Sequence, residues 1–258
     1  MISFFATISA LRAYDDKQPD LLLTIIGDST VSAYATGSTI RGWGEFVQPR
    51  LRRRVRVTNL AVPGASTVSF IAEGRWKQAM DTKPQVILIQ FGTNDSLLGF
   101  SLAQYRVNLR WMVESSRAAG AFPILVTPMQ LRVFQKGQFV PSLRDYAGTM
   151  RQVATETGTL LVDLHDLSGQ LYTKLGPERT QQLGPSDATH FNATGAHAMA
   201  DIILRELTAV RNPLLREIVD TPTAVEGTPK PVRPPAKPPR RTSVRSVRNL
   251  TRISHQGV

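Results

Sequence analysis

Cysteine is missing altogether from this 258-residue chain, which excludes a disulfide framework and every thiolate metal site and leaves the redox compartment open. No apolar run comes near the ~20 residues of a membrane-spanning helix, so no membrane span is expected. No cluster of His, Asp or Glu has metal-ligand spacing and no glycine-rich stretch has the phosphate-cradling pattern, so neither a metal nor a cofactor is expected. Acid is nearly absent from the C-terminal end. Residues 221–258 carry eight Lys/Arg against Glu226 alone, which gives +7 of the formal +11 and leaves +4 for residues 1–220.

The same stretch holds seven of the 17 prolines and almost no large apolar residue before Leu250. With neither a helical nor an alternating period it cannot bury enough surface to offset its ordering entropy, so a basic, Pro-rich disordered tail is predicted over residues 219–258. Residues 1–20 read as an N-terminal extension. Its apolar start, Met1 to Leu11, is like the centre of a signal peptide but lacks a leading basic residue and a small-x-small cleavage site. Localisation stays open, with a lean toward export. Between these ends, a hydrophobic content of 41% supports one sizeable core, and a single domain is predicted over residues 21–218.

Within that domain, short β-branched or leucine-rich runs alternate with longer segments of helical period, a pattern that yields parallel strands joined by crossover helices. Strands are predicted at 21–27, 54–59, 85–91, 122–127 and 159–163. A helix at 102–118 places Leu102, Tyr105, Leu109, Met112 and Ser116 on one face, with Ser101 as its N-cap. A second, at 143–157, aligns Leu143, Tyr146, Met150 and Val153, with Ser142 and Asp145 as a capping box. A last helix after Asn192 stacks Ala196, Met199, Ile203 and Leu207. Right-handed crossovers put helices on both faces of such a sheet, so the expected fold is a three-layer α/β/α sandwich on a five-stranded parallel sheet, with its site at the carboxyl ends of the strands.

Those ends are where the chemically able residues fall. Ser29, in Gly27-Asp28-Ser29-Thr30, follows the first strand, while Asp187 and His190, in Asp187-Ala188-Thr189-His190, lie in the loop before the last helix. A serine hydroxyl becomes a good nucleophile when an imidazole takes its proton, and the imidazole serves when a carboxylate fixes its tautomer. Of the four histidines, at 165, 190, 197 and 255, His190 is the best placed. Gly64, after the second strand, can turn its N–H outward, and Asn94 carries an amide donor. With the N–H of Ser29 they can surround a developing oxyanion, or they are simply turn residues. The Gly-x-Ser-x-Gly elbow of α/β-hydrolases is absent, since Gly64-Ala65-Ser66 runs on to Thr67-Val68, and Ser66 is a poor rival nucleophile.

The four segments resemble, in order, the blocks of the SGNH (GDSL-type) hydrolase superfamily, over about residues 21–210. Further similarity to its rhamnogalacturonan acetylesterase-like members lies in Gly42-Trp43-Gly44, in Phe70 with Glu73-Gly74-Arg75-Trp76, in Gln90-Phe91-Gly92, and in the stretch from Asp163-Leu164-His165 through Leu175-Gly176-Pro177 to Thr189-His190-Phe191-Asn192. The resemblance implies a flavodoxin-like fold. It also implies Ser29 as nucleophile, His190 as base, Asp187 as its orienting acid, and Ser29, Gly64 and Asn94 as oxyanion hole. One departure stands out: these acetylesterases commonly read Gly-His-Asn-Asp where this chain has Thr93, which removes a polar ring near the site.

The implied activity is removal of acetyl or other small acyl groups from carbohydrate such as rhamnogalacturonan or other pectic material. The alternatives are a lipase- or thioesterase-like hydrolase and a non-catalytic carbohydrate-binding protein on the same fold. Trp43 and Trp76 offer a sugar-stacking platform or are packed against the first helices. Arg75 binds a uronate carboxylate or pairs with Glu73 or Asp95. His165 reads as a satisfied structural histidine. The basic tail suits an anionic polymer or is a solvated extension; nucleic acid is not the expected partner.

Overall fold

The computed structural model describes residues 21–219; the expectations for the extension 1–20 and for the tail from residue 220 onward lie outside them. All five expected strands form, with ends shifted by a residue or two. They are β1 (Leu21–Ile26), β2 (Val55–Asn59), β3 (Val86–Ile89), β4 (Phe122–Val126) and β7 (Leu160–Val162), the last reached through a small hairpin of β5 (Phe134–Gln135) and β6 (Gln138–Phe139). The five pair in parallel in the order β2-β1-β3-β4-β7. The helices are α1 (Thr67–Ala72), α2 (Arg75–Asp81), α3 (Thr93–Leu97), α4 (Leu102–Ala118), α5 (Arg144–Thr157), α6 (Leu164–Gln181), α7 (Ala193–Ala209) and α8 (Pro213–Ile218). α6 is broken near its end by Gly176, at φ 74°, ahead of Pro177.

Because successive strand residues point to opposite faces, each strand feeds two cores. Leu23, Ile25, Val86, Leu88, Ile124 and Val126 join the cluster under α7, whose Ala196, Met199, Ile203 and Leu207 are all buried. Ile26, Ile87, Ile89 and Leu125 join the opposite cluster with Tyr105, Leu109 and Met112 of α4 and Met150 and Val153 of α5. Burial on both faces explains why the strands read as continuous apolar runs. The chain leaves β1 toward β2 on one side and returns to β3 on the other, opening a crevice at the carboxyl ends of β1 and β3.

Two local expectations are confirmed or corrected at helix starts. Ser101 caps α4 by accepting the Gln104 N–H at 3.1 Å. The Ser142–Asp145 capping box does not form: α5 starts after Leu143, a left-handed residue at φ 53° with no side-chain cap. Ser142 Oγ instead accepts the Leu131 N–H at 2.7 Å and lies 3.2 Å from Gln130 Oε1. Val219, assigned to the tail by composition, is buried and bridges Leu51, so the folded region includes at least residue 219, beyond the expected boundary at 218.

Candidate active site

The turn after β1 is set by close packing. A Cβ on Gly27 would lie 2.6 Å from Val31 Cγ2 and 2.7 Å from the Gln90 carbonyl oxygen, so only glycine fits. Asp28 Oδ1 accepts the N–H of Thr30 at 2.9 Å and its hydroxyl at 2.6 Å. The Thr30 hydroxyl in turn accepts Gln90 Nε2 at 2.8 Å, and Gln90 Oε1 accepts the indole N–H of Trp43 at 2.8 Å. Every member of this chain is buried. Burial pushes the Asp28 carboxyl above its ordinary range, against the two Thr30 bonds that pull it down. Above the chain, Ser29 is 8% exposed, and the hydroxyl of Tyr34 holds its carbonyl at 2.8 Å.

The structure brings Ser29, Asp187 and His190 together. His190 Nε2 lies 3.0 Å from Ser29 Oγ, and its Nδ1 lies 3.2 Å from Asp187 Oδ2. Asp187 Oδ1 accepts the backbone N–H groups of Thr189 and His190 at 2.8 and 2.7 Å. Burial acts to raise the Asp187 carboxyl, but these N–H bonds and the imidazole outweigh it and hold the group below its usual value. An ionised Asp187 then keeps the proton on Nδ1 and leaves the Nε2 lone pair for the serine hydroxyl. Such a relay can take the serine proton as Oγ attacks a carbonyl carbon.

Gly64 and Asn94 follow β2 and β3, the two strands that flank β1 in the sheet. Gly64 is exposed at φ 79°, a conformation that glycine adopts without strain. Neither its N–H nor that of Ser29 has an acceptor among the described residues. Asn94, in the first turn of α3, uses one amide hydrogen on the Ala65 carbonyl at 3.0 Å, leaving the other for a ligand. Its neighbour Asp95 is buried and accepts both the N–H (3.0 Å) and the hydroxyl of Thr67. The Asn94 helix and the Gly64 turn are therefore clamped to each other from two sides.

The binding residues proposed beside the site need correction. Trp43 is 0% exposed and its N–H is taken by Gln90, so it offers no face to a sugar. Trp76 is 6% exposed and packs on Trp111 with ring centroids 5.3 Å apart. Arg75 pairs with Glu73 at 2.7 Å, while Asp95 is occupied by Thr67. His165 is buried and remote in role: Nε2 lies 2.7 Å from the Ser142 carbonyl, which can only accept, so Nδ1 is the acceptor for Arg151 Nη2 at 3.2 Å. Among the described residues no three His, Asp or Glu are grouped to hold a metal, and no helix is long and apolar enough to cross a membrane.

One residue that sequence reasoning missed holds the His190 loop in place. Arg132, after β4, is 9% exposed and forms no ion pair among the described residues. Its Nη2 donates to the carbonyls of Asp187 at 2.7 Å and Pro185 at 3.3 Å, its backbone N–H donates to the Ala188 carbonyl at 2.8 Å, and the guanidinium lies 5.2 Å over Phe191. A Cβ on Gly184 would come within 2.3 Å of that guanidinium. A lone arginine between Leu131 and Val133 carries no sequence signal for this contact.

Comparison with known proteins agrees with this geometry. The model of the GDSL-like Lipase/Acylhydrolase family matches residues 25–198. The chain is 31% identical over 225 residues to rhamnogalacturonan acetylesterase RhgT of Bacillus subtilis strain 168, covering 79% of this chain and 96% of that one. It is 29% identical over 208 residues to the probable rhamnogalacturonan acetylesterase YesY of the same organism, covering 76% and 96%. Among solved structures, the crystal structure of protein YxiM from Bacillus subtilis is similar with a TM-score of 0.68 and 29% identity, over 73% of this chain. This chain spans only 56% of that protein. With Ser29, Gly64 and Asn94 following β1, β2 and β3, His190 in contact with Ser29, and the family match covering most of the described residues, the chain belongs to the GDSL-like lipase/acylhydrolase family and is an SGNH-type carboxylic ester hydrolase.

Proposed function

We propose that the protein is a serine esterase that removes acetyl groups from carbohydrate, with rhamnogalacturonan or a related pectic polymer as substrate. The observation that carries the reading is the double contact of His190, to Ser29 Oγ at 3.0 Å and to Asp187 Oδ2 at 3.2 Å. Ser29 Oγ attacks the acetyl carbonyl carbon as its proton passes to His190 Nε2. The oxygen that becomes negative takes the N–H groups of Ser29 and Gly64 and the free amide hydrogen of Asn94. The imidazolium then protonates the departing sugar oxygen, leaving acetyl-Ser29. Water attacks that ester by the same proton path, and acetate leaves. The substrate class is supported by the names of RhgT and YesY, each covered over nearly its whole length.

A second reading, toward longer acyl chains, is favoured by Leu97 and Leu98, which are 80% and 59% exposed just past Asn94. One set of assays separates the two. Ser29→Ala should abolish turnover of 4-nitrophenyl acetate with the melting temperature little changed, and acetate should be released fastest from acetylated rhamnogalacturonan. Undiminished turnover in Ser29→Ala sinks the mechanism. A higher kcat/KM for the octanoate than for the acetate ester sinks the acetyl assignment.

A further inference from the structure

A cleft of about 750 Å³ opens at the carboxyl ends of β4 and β7, on the same rim of the sheet as Ser29, between the β5–β6 hairpin, α5 and α6. Its lining carries three cations, Arg144, Arg151 and Lys174, against one acid, Asp166, which accepts Gln170 Nε2 at 2.7 Å. Arg144 and Lys174 are exposed and make no ion pair or side-chain hydrogen bond among the described residues. Arg151 is held in one orientation. Its Nε and Nη2 grip Asp163 at 2.7 and 2.9 Å, and Nη2 also meets His165 Nδ1 at 3.2 Å. Its Nη1 edge has no partner among the described residues, which leaves two N–H donors for a ligand.

Two features of the backbone carry a local cost. Gly148 sits in the middle of α5, where glycine costs about 1 kcal/mol relative to alanine, and a Cβ there would meet nothing within 4 Å. It lines a second depression of about 470 Å³ on the other flank of α5, which shares Arg144 and Arg151 with the first. The bare backbone thus makes a saddle between two arginines that lie about 10 Å apart along the helix. Leu143, just before Arg144, is left-handed at φ 53°, a strained choice for leucine. The strain is held by Ser142, whose N–H donates to Gln130 Oε1 at 2.7 Å and whose carbonyl takes His165 Nε2 at 2.7 Å. This network fixes where α5 starts and so where Arg144 stands.

We propose that Arg144, Arg151 and Lys174, with the Gly148 saddle, form a docking surface for a carboxylate-bearing glycan, separate from the residues that would perform the chemistry. The cationic lining and the open guanidinium edge suit carboxylates repeated along a polymer. β1 and β7 are three strand spacings apart, about 14 Å, so one glycan chain can lie on this surface while an acetyl group enters the crevice at Ser29. The identity of the glycan rests on the carbohydrate esterase reading; the binding surface does not.

The test compares the full-length protein with Arg144→Ala/Lys174→Ala. Calorimetric titration with short oligogalacturonates at low salt should show about tenfold weaker binding in the variant, and the wild-type affinity should fall as salt rises. KM on acetylated polygalacturonate should rise by a similar factor, with 4-nitrophenyl acetate and neutral acetylated xylan turned over as before. Gly148→Leu should raise the melting temperature and still weaken oligogalacturonate binding. Equal affinity in all three proteins overturns the proposal, as does tighter binding of a DNA oligonucleotide than of oligogalacturonate. If no polysaccharide releases acetate, the carbohydrate esterase reading fails, and the titrations still decide the docking surface.

Discussion

Ser29 and His190 meet at 3.0 Å, yet the two sides of that contact are held by different means. On the serine side, side chains hold side chains: Asp28, Thr30, Gln90 and Trp43 form a wholly buried relay beneath the turn. On the histidine side, the loop from Pro185 to Phe191 is held through its own backbone, with carbonyls pinned by Arg132 and N–H groups pinned by Asp187. The first arrangement belongs to the core and shares its stability. The second lies at the surface, where Asp187 is about half-exposed, and can be altered with little effect on the rest of the fold. Substitutions on the two sides should therefore separate stability from rate.

The largest effect is expected at Asp187. Asp187→Asn keeps the size of the group but favours the wrong imidazole tautomer, and kcat should fall about 10⁴-fold, or about 5.5 kcal/mol in the barrier, with the melting temperature nearly unchanged. A large loss of stability would break the contrast between the two sides. Thr30→Val makes the opposite case. It removes the hydroxyl that serves both Asp28 and Gln90, leaving two buried polar groups short of a partner, and should cost about 2–5 kcal/mol in chemical denaturation. A Thr30→Val protein of wild-type stability would show that the buried relay is not what fixes the turn.

Arg132 tests the middle ground. Arg132→Met should lower kcat by up to about 10²-fold through misplacement of His190, with KM for 4-nitrophenyl acetate little changed. Arg132→Lys should stay impaired, because a compact ammonium lacks the planar guanidinium that lies over the Phe191 ring while its Nη2 reaches the Pro185 and Asp187 carbonyls. Full activity in Arg132→Lys would mean that charge alone suffices.

The same contrast decides what could be read from the sequence. The strands were legible because both-face burial makes continuous apolar runs such as Val86-Ile87-Leu88-Ile89; Ser29 was legible because it directly follows a predicted strand, and Asp187 and His190 because they stand just before the last predicted helix. What failed was set by contacts remote in sequence. Ser142 has the local form of a cap but is taken by Leu131 and Gln130, while Arg132 reaches residues 53 and 55 positions away. Trp43 looked available to a sugar because nothing local announces that Gln90 claims its indole N–H from 47 residues away.

The smallest predicted effect concerns His165, which stands apart from both sides of the Ser29–His190 contact. Burial, followed by the nearby Arg151 charge, lowers its pKa below the ordinary 6.5, although the Ser142 carbonyl favours the protonated ring. The folded protein therefore holds His165 neutral where the unfolded chain would protonate it, so the unfolded state binds more protons and stability falls as pH drops below about 6.5. The loss should flatten once pH passes the lowered folded value. One proton limits the slope to about 1.4 kcal/mol per pH unit. His165→Gln can keep the bond to the Ser142 carbonyl through its amide N–H and accept Arg151 through its oxygen, so its stability should decline less between pH 7 and pH 5. Identical decline in the two proteins would remove His165 as the source.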